Sequence, residues 1–208
     1  MTATAYHHGD LRAALVEAAL ELARSTGAEA IVLREVTRRA GVTPRAAYRH
    51  FADRDALVRA VAQRALARLA AAIEERMRAA GVPDGMAMLQ AVGESYIAFA
   101  LDEPGLFDVA FFAMDDMVNS GAPESAAACG LSPFQLLEVA LETLVREGRL
   151  PAGDVGDAVI TCWSGVHGFA TLTARGPLRE LPRDLVDAKA VRLVAGLVDA
   201  VVERTPAG

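Results

Sequence analysis

Lysine is almost missing from this chain: Lys189 stands alone, and the other 20 basic residues are arginines. Cysteine is nearly as scarce. Cys129 and Cys162 are too few and too far apart for a disulfide scaffold or a metal-ligand spacing, so both read as reduced thiols without a redox role. No stretch reaches the roughly 18 to 20 uninterrupted apolar residues that a membrane span needs. The opening residues MTATAYHHGD lack the basic and then apolar layout of a secretion signal, which predicts a cytoplasmic protein with no membrane partner. His7 and His8 have no further ligands beside them, so no metal site is expected. Catalytic signatures are missing as well. There is no GxSxG elbow, no phosphate loop, no HExxH, and no carboxylate placed to orient His167. An enzyme using His167 or Cys162 therefore finds no support, and no cofactor is expected.

What is present is apolar and helical in pattern. Hydrophobic residues make up 53% of 208, enough for a buried core. The net charge of -6 has the wrong sign for a polyanion's partner, but its distribution is uneven. Residues 30–59 hold seven arginines against three carboxylates, a net +4, whereas residues 61–208 carry a net -8. An acidic body with a small basic end favours a localised DNA contact over a sheath along nucleic acid.

Apolar spacing predicts helices over residues 10–26, 34–40, 44–50 and 53–80, then 86–101, 106–117, 133–147, 155–174 and 185–203. Few windows alternate with period two, so the chain reads as all-α, with the long fourth helix bridging two domains. Residues 34–50 have the spacing of a helix-turn-helix. Gly41 suits the left-handed turn, and Thr43 followed by Pro44 is a cap followed by a first-turn proline. Val36, Ala40, Val42, Ala47 and Phe51 would hold the angle between the helices. Thr43, Arg45, Ala46 and Arg49 would face the major groove, flanked by Arg34 and Pro44. Arg can pair bidentately with guanine, and Ala46 can meet a thymine methyl.

The run LREVTRRAGVTPRAAYRHFADRDALV, residues 33–58, resembles the signature of the TetR family, and HHGDLRAALVEAALELARSTG resembles that family's first helix. The resemblance implies a DNA-binding regulator, with Tyr48, His50 and Arg54 as phosphate contacts. Two positions depart from the family pattern. Thr37 stands where a small apolar residue is usual, and Val32 where a Ser or Thr cap is usual. The second departure is worth about 1 kcal/mol of lost capping.

In the C-terminal part, Phe99, Phe107, Phe111, Phe112, Met114 and Met117, with Phe134, are large adaptable apolar groups that could line a pocket. The segment CWSGVHGFATL, residues 162–172, looks like the Trp-His-Gly signature of one C-terminal domain type in TetR-like regulators, here Trp163, His167 and Gly168. Trp163 and His167 lie four apart on one helical face and could hold a polar ligand group. Gly165 and Gly168 inside an apolar helix suggest close helix approach. The last two helices are apolar over wide arcs, through Val159 and Val166 and then Val194, Leu197, Val198 and Val201. That width and the resemblance imply a homodimer paired through these residues.

The sequence thus predicts a DNA-binding domain over residues 9–69 and a ligand-binding and dimerisation domain over 70–208. The expected protein is a repressor of a palindromic operator in double-stranded DNA, released by a small apolar or aromatic effector. The competing reading is an adaptor in which the helix-turn-helix contacts protein. It predicts no salt-dependent DNA affinity.

Overall fold

The computed structural model describes residues 11–81, 84–113 and 121–203. These residues form nine α-helices and three short 3-10 turns, with no strand among them. The helices are α1 (Leu11–Thr26), α2 (Leu33–Arg39), α3 (Pro44–Ala47), α4 (Arg54–Ala79), α5 (Gly85–Asp102), α6 (Pro104–Phe112), α7 (Pro133–Arg146), α8 (Val155–Ala174) and α9 (Arg183–Glu203). None of them is long and apolar enough to cross a membrane. His7, His8, Met114 and Met117 lie outside the described residues.

Several helix starts follow from their caps. Asp53 Oδ1 accepts the Ala56 N–H at 2.7 Å and opens α4. Ser132 and Gln135 form a reciprocal capping box at the start of α7, with Pro133 at its first position. The third helix is shorter than the apolar spacing predicts. After Ala47 the chain tightens into i to i+3 bonds, Arg49 N–H to Ala46 O and His50 N–H to Ala47 O, so residues 48–50 are turn.

Contacts divide the chain into two compact units. The first comprises the described residues up to 65 together with 105–113. It buries Leu15, Leu20, Ile31, Val36, Ala47, Phe51, Leu57 and Val61, with Leu106, Phe107 and Val109 of α6. The second comprises the remaining described residues and is built around α5, which packs on α7, α8 and α9. Helix α5 is apolar on nearly every side because neighbours surround it. Helix α4 runs unbroken through 26 residues, its first twelve in one unit and the rest in the other.

Within the second unit Gly165 permits the approach that its place in an apolar helix suggested. A Cβ there would stand 2.7 Å from Leu197 of α9. Among the described residues nothing lies within 4 Å of such a Cβ on Gly168, so no close approach by them explains it.

Candidate nucleic-acid interface and effector-site residues

The connection from α2 to α3 is a Schellman turn. Gly41 has φ +69°, its N–H reaches Arg38 O at 3.3 Å, and Val42 N–H reaches Thr37 O at 3.0 Å. Thr43 then caps α3 by accepting Ala46 N–H, and Pro44 supplies the first helical residue. Beneath the turn Val36, Ala47 and Phe51 are buried, while Ala40 and Val42 are half-buried. Arg34, Thr43, Pro44, Arg45, Tyr48, Arg49 and His50 are exposed and Ala46 is half-buried, which leaves this set at the surface of the first unit. Arg38 is also exposed but grips Glu35 through two nitrogens, and that ion pair holds the Glu35 carboxyl below its ordinary range.

Both departures from the family pattern have visible consequences. Thr37 is 1% exposed, and its hydroxyl donates to Arg34 O at 3.0 Å, so the buried polar group is satisfied inside its own helix. Val32 sits in extended backbone before α2 and provides no side-chain cap.

Arg54, the third phosphate contact that the resemblance implied, also has partners within its own unit. Its Nε donates to Ile31 O at 2.9 Å and its Nη2 to Ala28 O at 2.6 Å, so the guanidinium is engaged by backbone of its own unit. The sequence offered no signal for this, because the partners lie 23 and 26 residues upstream.

The aromatic residues expected to share one pocket fall into two groups. Phe107, Phe111 and Phe112 belong to the first unit, where the Phe107 ring lies 5.1 Å from Phe111 and 5.8 Å from Phe112. Phe99, Phe134, Trp163 and His167 belong to the second. There Trp163 stands edge-on to Phe134 at 6.2 Å and to His167 at 6.3 Å. Tyr96, which the sequence reading missed, places its hydroxyl 2.7 Å from His167 Nδ1. Burial raises the Tyr96 phenol well above its ordinary value, partly offset by a hydrogen bond with Trp163, and burial lowers His167. One turn further along α8 the Thr171 hydroxyl oxygen is buried without a hydrogen-bond partner among the described residues. Cys162 is buried and its thiol is pushed up to about 11, whereas Cys129 is exposed.

The residues expected at a dimer surface require correction. Val159, Val166, Val194, Val198 and Val201 are buried within their own unit and Leu197 is half-buried against Gly165, so they form this chain's own core. The apolar row left exposed is the adjacent one. It runs through Ile160 (59% exposed) and Leu172 on α8 and Leu185 and Val191 (49%) on α9, with Ser164, Ala188 and Ala195 between them.

Comparison with known proteins bears on the family and the fold. No curated protein matches the sequence. Among solved structures, a protein of unknown function from Rhodococcus sp. RHA1 is similar at 27% identity and TM-score 0.72, covering 96% of this chain and all of that one. A TetR variant from Acinetobacter baumannii AYE in complex with minocycline matches at 21% identity and TM-score 0.63, covering 93% of this chain and 96% of that one. The transcriptional regulator FadR from Bacillus subtilis in complex with stearoyl-CoA matches at 15% and 0.64, covering 93% and 98%. The last two likenesses speak for the fold alone. The family model for bacterial regulatory proteins of the tetR family matches residues 15–61, which carry α1, the Schellman turn and the exposed arginines. The model for the tetracyclin repressor-like C-terminal domain matches residues 89–197, which is more than half of the chain. With both halves matched in the order in which the two units stand, the chain belongs to the TetR family of transcriptional regulators, DNA-binding proteins with a ligand-binding C-terminal domain and no enzymatic activity.

Proposed function

We propose that the protein is a repressor that binds a roughly palindromic operator as a homodimer and leaves it when a small apolar or aromatic effector occupies the C-terminal unit. The observation that carries the DNA part is the exposed set Thr43, Arg45 and Arg49 at a recognition helix fixed by the Schellman turn at Gly41. Bidentate Arg to guanine pairing is the commonest specific contact in the major groove, and neither arginine has a carboxylate partner among the described ion pairs. Tyr48 and His50 add hydrogen-bond donors suited to phosphate. The domains assigned to these tasks are 9–69 for DNA and 70–208 for effector and dimer, with α6 lent by contact to the first.

The C-terminal unit is of the Trp-His-Gly type, with Trp163, His167 and Gly168 as its signature. Two structural neighbours are in complex with minocycline and stearoyl-CoA. In this chain Phe99, Phe134 and Trp163 offer the apolar wall, and His167 with the buried Thr171 hydroxyl offers polar groups. Helix α6 continues the chain from α5 after a break at Glu103, which gives an effector-induced change a covalent route to the DNA-reading unit. The exposed rows of α8 and α9 supply the surface on which a second copy would pack, and two copies place recognition helices one turn of DNA apart.

Sequencing genomic fragments retained by the purified protein tests this reading, because a two-fold symmetric consensus must emerge. On that consensus Arg45→Ala is expected to relax one position per half-site, at about 1 to 3 kcal/mol. Retention of fragments without a shared sequence, or intact base preference in Arg45→Ala, would refute it. The effector part is tested by linkage. A compound that weakens operator binding must itself bind more weakly, by the same factor, when operator is saturating.

A further inference from the structure

The connector between α1 and α2 is held from two sides by residues remote from it in sequence. On one side Arg54, the first residue of α4, spans the 3-10 turn Gly27–Ala30 with a single planar group, donating to Ala28 O at 2.6 Å and to Ile31 O at 2.9 Å. On the other side Asp108 of α6 lies against Gly27, where a Cβ would stand 2.5 Å from its Oδ2. Gly27 has φ +71°, so both the backbone and the space exclude a side chain. Helix α6 is seated closely enough that a Cβ on Gly105 would overlap the carbonyl oxygens of Ala23 and Arg24 at the end of α1. The connector ends in the fully buried Ile31, and the next residue, Val32, accepts the first backbone bonds of α2 from Glu35 and Val36. Where the connector sits therefore sets where α2 begins, and the Schellman turn passes that placement to α3.

We propose that Arg54 and Asp108 are positioning residues for DNA reading, which fix the helix-turn-helix by clamping the Gly27–Ile31 connector between α4 and α6. The proposal rests on the DNA-binding reading above and assigns Arg54 a role other than phosphate contact. A guanidinium is required for it. Two N–H bonds from one planar group to carbonyls three residues apart suit its rigid fork, whereas a lysine ammonium keeps the charge but offers one nitrogen on a flexible stem. Asp108 links the same connector to the helix that continues from α5.

The two roles separate in how specific and non-specific binding respond. A phosphate contact contributes to every duplex and to the salt slope, while a misplaced recognition helix loses only the chosen sequence. The probes are a duplex selected by the wild-type protein from a random library and an unrelated duplex of equal length. Arg54→Lys is expected to lose about tenfold or more on the selected duplex, of the order of one mismatched base pair. Its affinity for the unrelated duplex and its slope of affinity against salt are expected to stay at wild-type values, with helical circular dichroism confirming a folded protein at the assay temperature. Asp108→Ala is expected to reproduce the loss on the selected duplex without weakening the unrelated one, since removing a carboxylate cannot lower a general attraction to phosphate. The proposal is overturned if Arg54→Lys binds both duplexes like wild type while Arg54→Gln lowers the salt slope by about 1, the signature of a lost phosphate. It is equally overturned if both duplexes weaken together in Arg54→Lys, or if Asp108→Ala discriminates as well as wild type. A wild-type protein that retains no duplex from the library would instead refute the DNA-binding reading itself.

Discussion

The Tyr96 hydroxyl lies 2.7 Å from Nδ1 of His167 and joins α5 to α8 across 71 residues of sequence. Trp163 also hydrogen-bonds Tyr96, and an indole N–H can only donate. In the bond between Tyr96 and His167 either partner can donate, the phenol O–H to a bare Nδ1 or Nδ1–H to the phenol oxygen. Burial favours the neutral form of both groups, lowering His167 and raising Tyr96.

A pH dependence of stability follows from the burial of His167. The folded His167 takes up its proton at lower pH than the ordinary 6.5, so the unfolded chain binds it first as pH falls. Stability is then full above about 6.5 and declines as pH drops toward the folded value. Urea titrations at pH about 7.5 and 5.5 should show the wild-type midpoint falling at the lower pH, and His167→Gln should lessen that fall. An unchanged pH dependence in His167→Gln would mean that His167 is not the group responsible.

Val32→Ser should stabilise the protein. Val32 is 52% exposed, so little burial is lost, and its backbone already has the extended conformation of a helix cap. A hydroxyl there can accept an orphan N–H of α2, worth about 1 kcal/mol, or about 2 to 4 °C in Tm for a protein of this size. A Tm at or below wild type would show that the first turn of α2 gains nothing from a cap.

The two glycines of α8 should respond oppositely. Gly165→Ala must push Leu197 aside, and overpacking typically costs about 1 to 3 kcal/mol. Gly168→Ala meets nothing within 4 Å among the described residues and should gain about 0.5 to 1 kcal/mol of helix propensity. Thermal denaturation of both variants at a concentration where subunits are dissociated checks the pair. Equal effects would remove the packing explanation for Gly165.

Charge on the exposed row should abolish dimers without unfolding the protomer. Ile160→Asp with Val191→Asp should give monomers of wild-type helicity in sedimentation and circular dichroism, because both side chains are about half exposed or more. Val198→Asp and Val201→Asp should instead give unfolded or insoluble protein, since those residues are core. A dimer surviving the first pair would move the interface off this row.

The reach of the sequence differs between kinds of feature. Helix α8 is found at residues 155–174 as its apolar spacing predicts, and the ends of α4 and α7 follow Asp53 and Ser132, because caps and periodicity act within a few residues. The turn at Gly41 is legible for the same reason. What one strand of text does not reveal is which of two adjacent apolar rows faces inward. Helices α8 and α9 are wide enough for either, and only packing against α5 decides that Val194 and Val198 are inside while Val191 is out. The partners of Arg54 and His167 were equally hidden, since nothing near either residue encodes a contact 23 or 71 positions away.

The two cysteines give the protein a built-in stopwatch. Cys129 is exposed, whereas Cys162 is buried in α8 with its thiol pushed up to about 11, so only about one Cys162 in a thousand would be thiolate at pH 8 even if a reagent reached it. A chromogenic disulfide should therefore titrate one thiol at once in the native protein and two in denaturant. The delayed appearance of the second under native conditions would time the opening of the helices around α8, and a compound that slows it would announce itself as a ligand of that unit before any DNA is added.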